Sequence, residues 1–293
     1  MSSLQVDLHT HTVASDGTNA PEVNVQLAKS AGLGAVAITD HDTVAGIEEA
    51  LEEGARIGLT VVPGVEISTV AGGVDIHVLG YFADYRNELF LQRLASLRDT
   101  RDKRNEMILG RLRELGLAVT MEEVIHNLPR PLREGETIGR PHIADLLMKK
   151  GYVATLQEAF DNYLATGSAA YVNPPRIHPA EAVAWIHEAG GAAVLAHPGI
   201  YGRDDIVQSL VEGAQLDGIE VYHSDHTEED AARYLEMAKR HQLLVTAGSD
   251  YHGERAGIVF HAPIGTCSVP MDILPALEQR AKQWRGGAKH ADS

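Results

Sequence analysis

Histidine and carboxylate side chains recur at the ends of short apolar runs, at positions far apart in the chain. Imidazole and carboxylate ligands together suit zinc, manganese or iron(II). With one cysteine, Cys267, no thiolate metal cluster and no intramolecular disulfide are expected. The candidate metal ligands are His9, His11, Asp16, His41, Glu66, His77, His197, Asp250 and His252. Because these are too many ligands for one ion, we predict two or three divalent cations that share bridging carboxylates.

The spacing within two of the motifs supports this interpretation. His9 and His11 are two residues apart, as are Asp250 and His252, so each pair lies on one face of an extended segment. Taken singly, Asp16 before Gly17 fits a turn, Asp250 fits a helix cap, and a histidine at a strand end is commonly structural. Independent turns do not explain histidine or acid at five separate strand ends, so the joint pattern favours metal binding.

The elements that must position these residues alternate between strand and helix. Strands are predicted at 4–8, 35–39, 59–67, 74–82, 192–196, 218–222 and 243–248, and helices at 20–32, 44–57, 178–189, 204–213 and 227–241. This alternation predicts an α/β fold with a mostly parallel sheet, and a short Gly-Gly turn before residue 74 favours one hairpin. Seven strands could close a barrel, although an open sheet gives the same pattern. In a barrel the carboxyl ends of the strands converge on one face, where Glu66 is expected at the end of the third strand.

Residues 87–170 interrupt the alternation with helical stretches at 88–115, 120–128, 141–150 and 155–164. We therefore predict a barrel formed by residues 1–86 and 171–293, and a helical insertion at 87–170 that covers the substrate site. The formal net charge of −16 argues against a nucleic-acid groove, so no duplex DNA partner is expected, but a small anion in a metal-filled pocket remains compatible with it. No apolar stretch suits a membrane span, and a cytoplasmic location is expected.

The motifs resemble those of the polymerase and histidinol phosphatase (PHP) family, a branch of the amidohydrolase-like enzymes. The resemblance rests on His9-Thr10-His11 with Asp16-Gly17, Thr39-Asp40-His41, His197-Pro198 and Ser249-Asp250-x-His252, together with Glu66 and His77. It implies a distorted (β/α)7 barrel and a metal-dependent phosphoesterase. It also implies one metal on His9, His11, Glu66 and Asp250, a second on Glu66, His77 and His197, and a third on Asp16, His41 and His252. Mn²⁺ is the expected metal, with Zn²⁺ and Fe²⁺ as alternatives.

Within the family, Gly139-Arg140-Pro141-His142 resembles the signature of a subgroup associated with tryptophan-biosynthesis genes. That resemblance implies removal of the 3′-phosphate from nucleoside 3′,5′-bisphosphates and 5′-to-3′ trimming of short RNA. Asp250 and His223 are the predicted catalytic residues, with His223 as a proton donor. The predicted substrate contacts are Arg140, His142, Arg101, Arg104 and His223. A solvated helix surface is the alternative for Arg101 and Arg104, and packing at a helix start is the alternative for Arg140 and His142.

Three other functions fit parts of this pattern. A histidinol-phosphate-type or other small-molecule phosphatase would use the same metal ligands. A C–N hydrolase of a related barrel usually has a lysine at a strand end, and none of the strand-end motifs contains one. A non-enzymatic metal-binding or nucleic-acid-associated module would show missing ligands or a basic surface, and the sequence has neither.

Overall fold

The computed structural model describes residues 4–255 and 257–287, so residues 1–3, 256 and 288–293 of the predicted barrel segment lie outside the described residues. One sheet contains most of the strands. Its first seven strands are β1 (Gln5–Asp7), β2 (Ala35–Ile38), β3 (Thr60–Ala71), β4 (Val74–Tyr81), β5 (Ala192–Leu195), β6 (Gly218–His223) and β7 (Leu244–Gly248). Two short strands, β8 (Glu254–Arg255) and β9 (Ile258–Val259), form a separate hairpin, and β10 (Val269–Pro270) pairs antiparallel with β1.

The strand order in the sheet is β10-β1-β2-β3-β4-β5-β6-β7. Strands β1–β3 are parallel to one another, as are β5–β7, while β4 is antiparallel to both of its neighbours. The far edges approach each other, because Leu8 N donates to Ala247 O at 3.0 Å and Thr10 bridges Tyr251. The sheet is therefore a nearly closed barrel, which confirms the predicted α/β barrel and decides against an open sheet.

The hairpin between β3 and β4 is confirmed, but the predicted end of the third strand was wrong. Strand β3 continues to Ala71, and Glu66 lies in its middle, opposite Leu79 of β4. Gly72 and Gly73 make the turn with φ of 57° and 81°, in the left-handed region that glycine tolerates best. Backbone pairing of β3 with β4 continues from Ser68 and His77 to Ala71 and Val74, so the strand extends further than the apolar run suggests.

Helices surround the barrel and form the insertion. They are α1 (Pro21–Ser30), α2 (Ile47–Ile57), α3 (Glu88–Glu114), α4 (Met121–His126), α5 (Arg140–Lys149), α6 (Leu156–Ala159), α7 (Pro179–Glu188), α8 (Asp204–Gly213), α9 (Glu228–His241) and α10 (Ile273–Gly287). Helix α6 continues into one π-helical turn at Phe160–Leu164. Local signals start several helices: Asn87 caps α3 by accepting from Phe90 N, and Thr227 forms a capping box with Asp230 at α9. None of the described helices is long and apolar enough to cross a membrane.

The apolar packing divides helix α3 between two parts of the molecule. Phe90 and Leu94, in its first half, pack in the barrel core with Trp185 of α7. The second half belongs to a separate cluster that contains Ile108 and Leu112 and consists of insertion residues together with Val172. The insertion then reaches back to the barrel mouth, because a Cβ at Gly139 would lie only 2.6 Å from Asp16 Oδ2. The division at residue 87 stays a prediction, since the helix that begins there serves both parts.

Candidate metal centre

His9 and His11 lie two and four residues after the end of β1 and are fully buried. Their rings lie 5.1 Å apart between centroids, on the same side of the chain as the two-residue spacing predicts. Both Nε2 atoms face the same two carboxylates: Asp250 Oδ1 lies at 3.3 and 3.0 Å, and Glu66 Oε2 at 3.4 and 3.3 Å. These four residues form one group whose ligand atoms are close enough to hold an ion.

A second group surrounds Asp16, on the loop after His11. Asp16 Oδ1 lies 3.3 Å from His252 Nε2, and Asp16 Oδ2 lies 3.8 Å from His41 Nε2. The ring of His11 stacks on that of His252 at 4.0 Å, so His11 belongs to both groups. The loop is held by Asp40, which accepts hydrogen bonds from Thr12 N and Oγ1, both at 2.7 Å.

Glu66 is the centre of a third group. His77 lies opposite Ser68 in the β3–β4 ladder, and this register places His77 on the same face as Glu66. Glu66 Oε1 lies 2.8 Å from His77 Nδ1 and 3.0 Å from His197 Nε2, while Glu66 Oε2 lies 2.8 Å from His41 Nδ1. All nine predicted ligands therefore meet in one place. The grouping differs from the one that the resemblance implied, because His11 and His41 each lie in both the group around Asp16 and a group that contains Glu66.

The donor atoms of this cluster fit metal ions. Buried polar atoms normally have hydrogen-bond partners. Within the described residues, several buried atoms that lack such a partner belong to the side chains of this cluster: His9 Nε2, His11 Nδ1 and Nε2, His41 Nδ1, Glu66 Oε2, His77 Nδ1, His197 Nδ1 and Asp250 Oδ1. Divalent cations would satisfy these atoms, and the mixture of imidazole and carboxylate suits zinc, manganese or iron(II).

The electrostatics of the cluster agree with this fit. Burial favours neutral carboxyl groups, yet His77 and His41 hold the pKa of Glu66 well below its usual range. Burial also lowers the pKa of His11, but Asp250 and Glu66 raise it to about 10. The carboxylates thus draw a proton onto His11, and a cation would compete with that proton for the same atoms. Burial lowers the pKa of His197 to about 4, which leaves the neutral imidazole that binds metals.

Two of the candidate ligands have strained backbones. His197 has a φ of 22° and Asp250 a φ of 53°, and both values lie in the left-handed region. Residues held there cost roughly 1–3 kcal/mol each, and such strain concentrates at functional sites. His197 and Asp250 lie two residues after the ends of β5 and β7, and their side chains face Glu66 and His9 of the cluster.

Three predicted substrate contacts line the cavity of about 300 Å³ that opens beside the cluster: Arg101, Arg104 and Arg140. Arg101 is already paired, since its Nη2 lies 2.6 Å from both Asp42 Oδ2 and Ser68 Oγ. Arg140 Nη2 lies 3.3 Å from Asp75 Oδ2. Arg104 has no carboxylate partner among the described residues, and its buried Nε lacks any hydrogen bond.

The structure places the remaining two predicted contacts outside the lining of this cavity. His142 accepts a hydrogen bond from Gly139 N at 3.0 Å. This contact at the start of α5 is the alternative to a substrate contact that the sequence left open for His142. His223 is buried behind Asp250, with its Nε2 3.4 Å from Asp250 Oδ2, and its Nδ1 accepts from Asp225 N. A role for either residue in contact with substrate stays a prediction.

Three residues that the sequence analysis did not select belong to the site. Glu220 accepts from His197 N at 2.9 Å and lies 3.2 Å from His9 Nδ1. A glutamate within the otherwise apolar run of β6 is the sequence feature that could have identified Glu220 as a candidate site residue. His261 lines the cavity with its Nε2 3.4 Å from Asp250 Oδ2. Arg176 also lines the cavity and pairs with Asp75, but it follows two prolines in an irregular segment that carries no pattern.

Comparisons with known proteins agree with this geometry. The profile of the PHP domain matches residues 7–246. The chain is 36% identical over 253 residues to the 5′-3′ exoribonuclease Rnm of Escherichia coli K12, covering 84% of each chain. It is 33% identical over 259 residues to the 3′,5′-nucleoside bisphosphate phosphatase of Chromobacterium violaceum, covering 86% of this chain and 88% of that protein.

Two further proteins widen the comparison. Over 251 residues the chain is 34% identical to the phosphoribosyl 1,2-cyclic phosphate 1,2-diphosphodiesterase of Eggerthella lenta, covering 85% of this chain and 94% of that protein. A crystal structure from Bifidobacterium adolescentis, described as a metal-dependent phosphoesterase, has a TM-score of 0.85 at 36% identity and covers 94% of this chain and 96% of that one. The profile match contains seven of the nine clustered ligands, all except Asp250 and His252. The chain belongs to the PHP family of metal-dependent hydrolases that act on phosphoesters.

Proposed function

We propose that this chain removes the 3′-phosphate of nucleoside 3′,5′-bisphosphates, for example by converting adenosine 3′,5′-bisphosphate to AMP and phosphate. The observation that carries the proposal is a second region for an anion beside the metal cluster. Arg104, Arg140 and Arg176 line the same cavity as Glu66 and therefore could hold a phosphate that is not being cleaved. A phosphatase of simple monophosphates has no use for this second region.

The arginine region carries more positive than negative charge. Asp75 is the only carboxylate paired with Arg140 and Arg176 in the described part of the chain. Burial would raise the pKa of Asp75, but Arg176 and Arg140 hold it at about 2. Arg104 is only 5% exposed, and burial together with Arg101 and Arg140 lowers its pKa. A buried guanidinium without a counter-ion is costly, so a bound phosphate would stabilise this region.

In the proposed reaction the clustered histidines and carboxylates hold two or three divalent cations, with Mn²⁺ proposed first and Zn²⁺ or Fe²⁺ as alternatives. Bound there, the metals would supply a nucleophilic water and neutralise charge on the scissile phosphate. The arginines would bind the 5′-phosphate and thereby fix the orientation of the 3′-phosphate at the cluster.

We assign proton donation to the leaving 3′-oxygen to His261 Nε2, because His261 lines the cavity whereas His223 does not. Asp225 Oδ2 holds His261 Nδ1 at 2.6 Å and orients the ring. His223, which faces Asp250, would then keep that carboxylate in position rather than contact the substrate.

Trimming of short RNA from the 5′ end is a second proposed activity. Its support is the similarity to the two proteins whose names carry the bisphosphatase and the 5′-3′ exoribonuclease activities. A 5′-terminal phosphate on RNA presents the same charge to the arginines as the 5′-phosphate of a bisphosphate. The cavity of about 300 Å³ is at the small end of ligand pockets, which favours a mononucleotide or the last residue of a chain.

The test compares phosphate release, with Mn²⁺, from adenosine 3′,5′-bisphosphate, adenosine 3′-monophosphate and histidinol phosphate. We expect the highest kcat/KM for the bisphosphate. Arg104→Met should lower that value about 100-fold and leave the 3′-monophosphate unaffected, because only the bisphosphate presents the second anion. Arg111→Met is the matched control, since Arg111 is exposed on the same helix and bonds Tyr171 O.

Asp250→Asn should abolish the hydrolysis of every substrate, because it removes a carboxylate that faces both His9 and His11. A wild-type protein that prefers histidinol phosphate, or that ignores the 5′-phosphate, would refute the proposed substrate while leaving the phosphoesterase chemistry in place.

A further inference from the structure

Two phenylalanines form an apolar wall in a cavity whose other lining is mostly charged or imidazole. Phe160 comes from the π-helical turn of the insertion, and Phe260 from the segment that follows β9. Both are half-buried and line the same cavity as the metal cluster. Their ring centroids are 6.4 Å apart, with the planes inclined by 34°. The metal ligands and arginines already described make no use of this wall.

Neighbouring contacts fix the wall beside the cluster. The ring of Phe260 stands nearly perpendicular to His252, with 5.9 Å between centroids and 82° between planes. Arg255, the last residue of β8, donates to Asp145 Oδ2 of the insertion at 3.0 Å and to Asp16 O at 2.6 Å. The hairpin and the insertion are therefore tied to each other and to a metal-ligand loop, so the wall keeps its position relative to the cluster.

We propose that Phe160 and Phe260 form a stacking subsite for the nucleobase of the substrate. The inference rests on the proposed function and adds a third contact to it, after the metal cluster for the 3′-phosphate and the arginines for the 5′-phosphate. A nucleobase is the one flat apolar part of such a molecule, and aromatic side chains are the surfaces on which bases stack. A sugar phosphate without a base would leave both rings uncovered.

The subsite accepts all four bases. Reading a base edge requires free donors and acceptors on side chains such as Asn, Gln, Arg, Asp or Glu. The described lining of the cavity contains no Asn or Gln, and its Asp and Glu side chains face histidines of the metal cluster or the arginines around Asp75. Stacking depends little on base identity, because every base has a π-face. The values of kcat/KM for the adenosine, guanosine, cytidine and uridine 3′,5′-bisphosphates should therefore agree within about tenfold, with the larger purines ahead.

The experiment compares each variant on two substrates, adenosine 3′,5′-bisphosphate and abasic ribose 3,5-bisphosphate, which carries both phosphates but no base. Wild type should prefer the nucleoside substrate by roughly 5- to 150-fold, the contribution of stacking one base. Phe160→Leu and Phe260→Leu should each remove most of that preference and leave the rate on the abasic substrate unchanged. Phe160→Trp and Phe260→Trp should retain it, because they keep a stacking face.

Phe82→Leu is the matched control, since Phe82 is half-buried in a different cavity at the other end of β4. It should leave both substrates unaffected. If the leucine variants lose equal activity on the two substrates, the wall is only a packing contact and the inference fails. It fails also if wild type hydrolyses the abasic and nucleoside substrates equally, although the proposed bisphosphatase function would then stand. No hydrolysis of either bisphosphate by wild type would overturn the function itself. If a leucine variant does not fold, the tryptophan variants alone test the inference. Loss of the preference for the nucleoside substrate in those variants would count against stacking.

Discussion

Glu220 lies behind the metal cluster, and replacing it with glutamine tests whether a carboxylate that is not a predicted ligand tunes metal affinity. The side chain is fully buried in β6, 3.2 Å from His9 Nδ1, and it accepts a hydrogen bond from His197 N at 2.9 Å. A carboxylate that accepts from the far nitrogen of a metal-binding histidine fixes the ring and makes it a better ligand. Glu220→Gln keeps the shape of the side chain and removes its charge.

Loss of such a partner typically weakens metal binding about 10- to 100-fold, which corresponds to roughly 1.4–2.8 kcal/mol. The dissociation constant of Mn²⁺ can be measured by competition with a metal-indicator dye. Thermal unfolding gives a second measurement, because a ligand at 100 times its dissociation constant stabilises a protein by about 2.7 kcal/mol. The Mn²⁺-dependent rise in Tm should therefore shrink by at least about 3 °C in the variant.

Asp217→Asn is the matched control. Asp217 immediately precedes the same strand, is also buried, and pairs with His187 Nε2 at 2.9 Å, outside the metal cluster. Its replacement should cost about 1–3 kcal/mol of stability and leave the affinity for Mn²⁺ unchanged. Wild-type Mn²⁺ affinity in Glu220→Gln, or an equal loss of affinity in the control, would refute the reasoning.

Three other perturbations have defined outcomes. In Gly248→Ala the new Cβ would lie 2.1 Å from His9 Cβ, so we expect a loss of about 1–3 kcal/mol in urea unfolding together with weaker Mn²⁺ binding; normal binding would contradict this. Arg101→Gln leaves Asp42 buried without its ion pair and should lower the free energy of unfolding by about 3–5 kcal/mol. Weaker substrate binding at unchanged stability would instead assign Arg101 to substrate recognition. Removal of metal with a chelator should lower the Tm by several degrees and abolish phosphate release, and Mn²⁺ should restore both; a Tm indifferent to chelator and Mn²⁺ would count against metal binding at the cluster.

The amino-acid sequence determined the parts of this protein that depend on local pattern. Alternating apolar runs gave the strands and helices, because the two- and 3.6-residue periods are properties of neighbouring residues. The spacing of His9 and His11 placed both rings on one face for the same reason, and the rings do lie side by side. Most of the predicted ligands met in space because parallel strands present their carboxyl ends at one edge, whereas Glu66 and His77 lie within the antiparallel β3–β4 hairpin.

Tertiary structure decided what depends on contacts between distant segments. Barrel closure rests on Leu8 N and Ala247 O, and no local pattern distinguishes such a contact from the free edge of an open sheet. Glu220 became part of the metal centre only because β6 lies behind His9, and Arg176 joined the arginine region only where an irregular segment passes Asp75. Periodicity fixes which way a side chain points along its own strand or helix, whereas its partners are fixed by the packing of the whole chain.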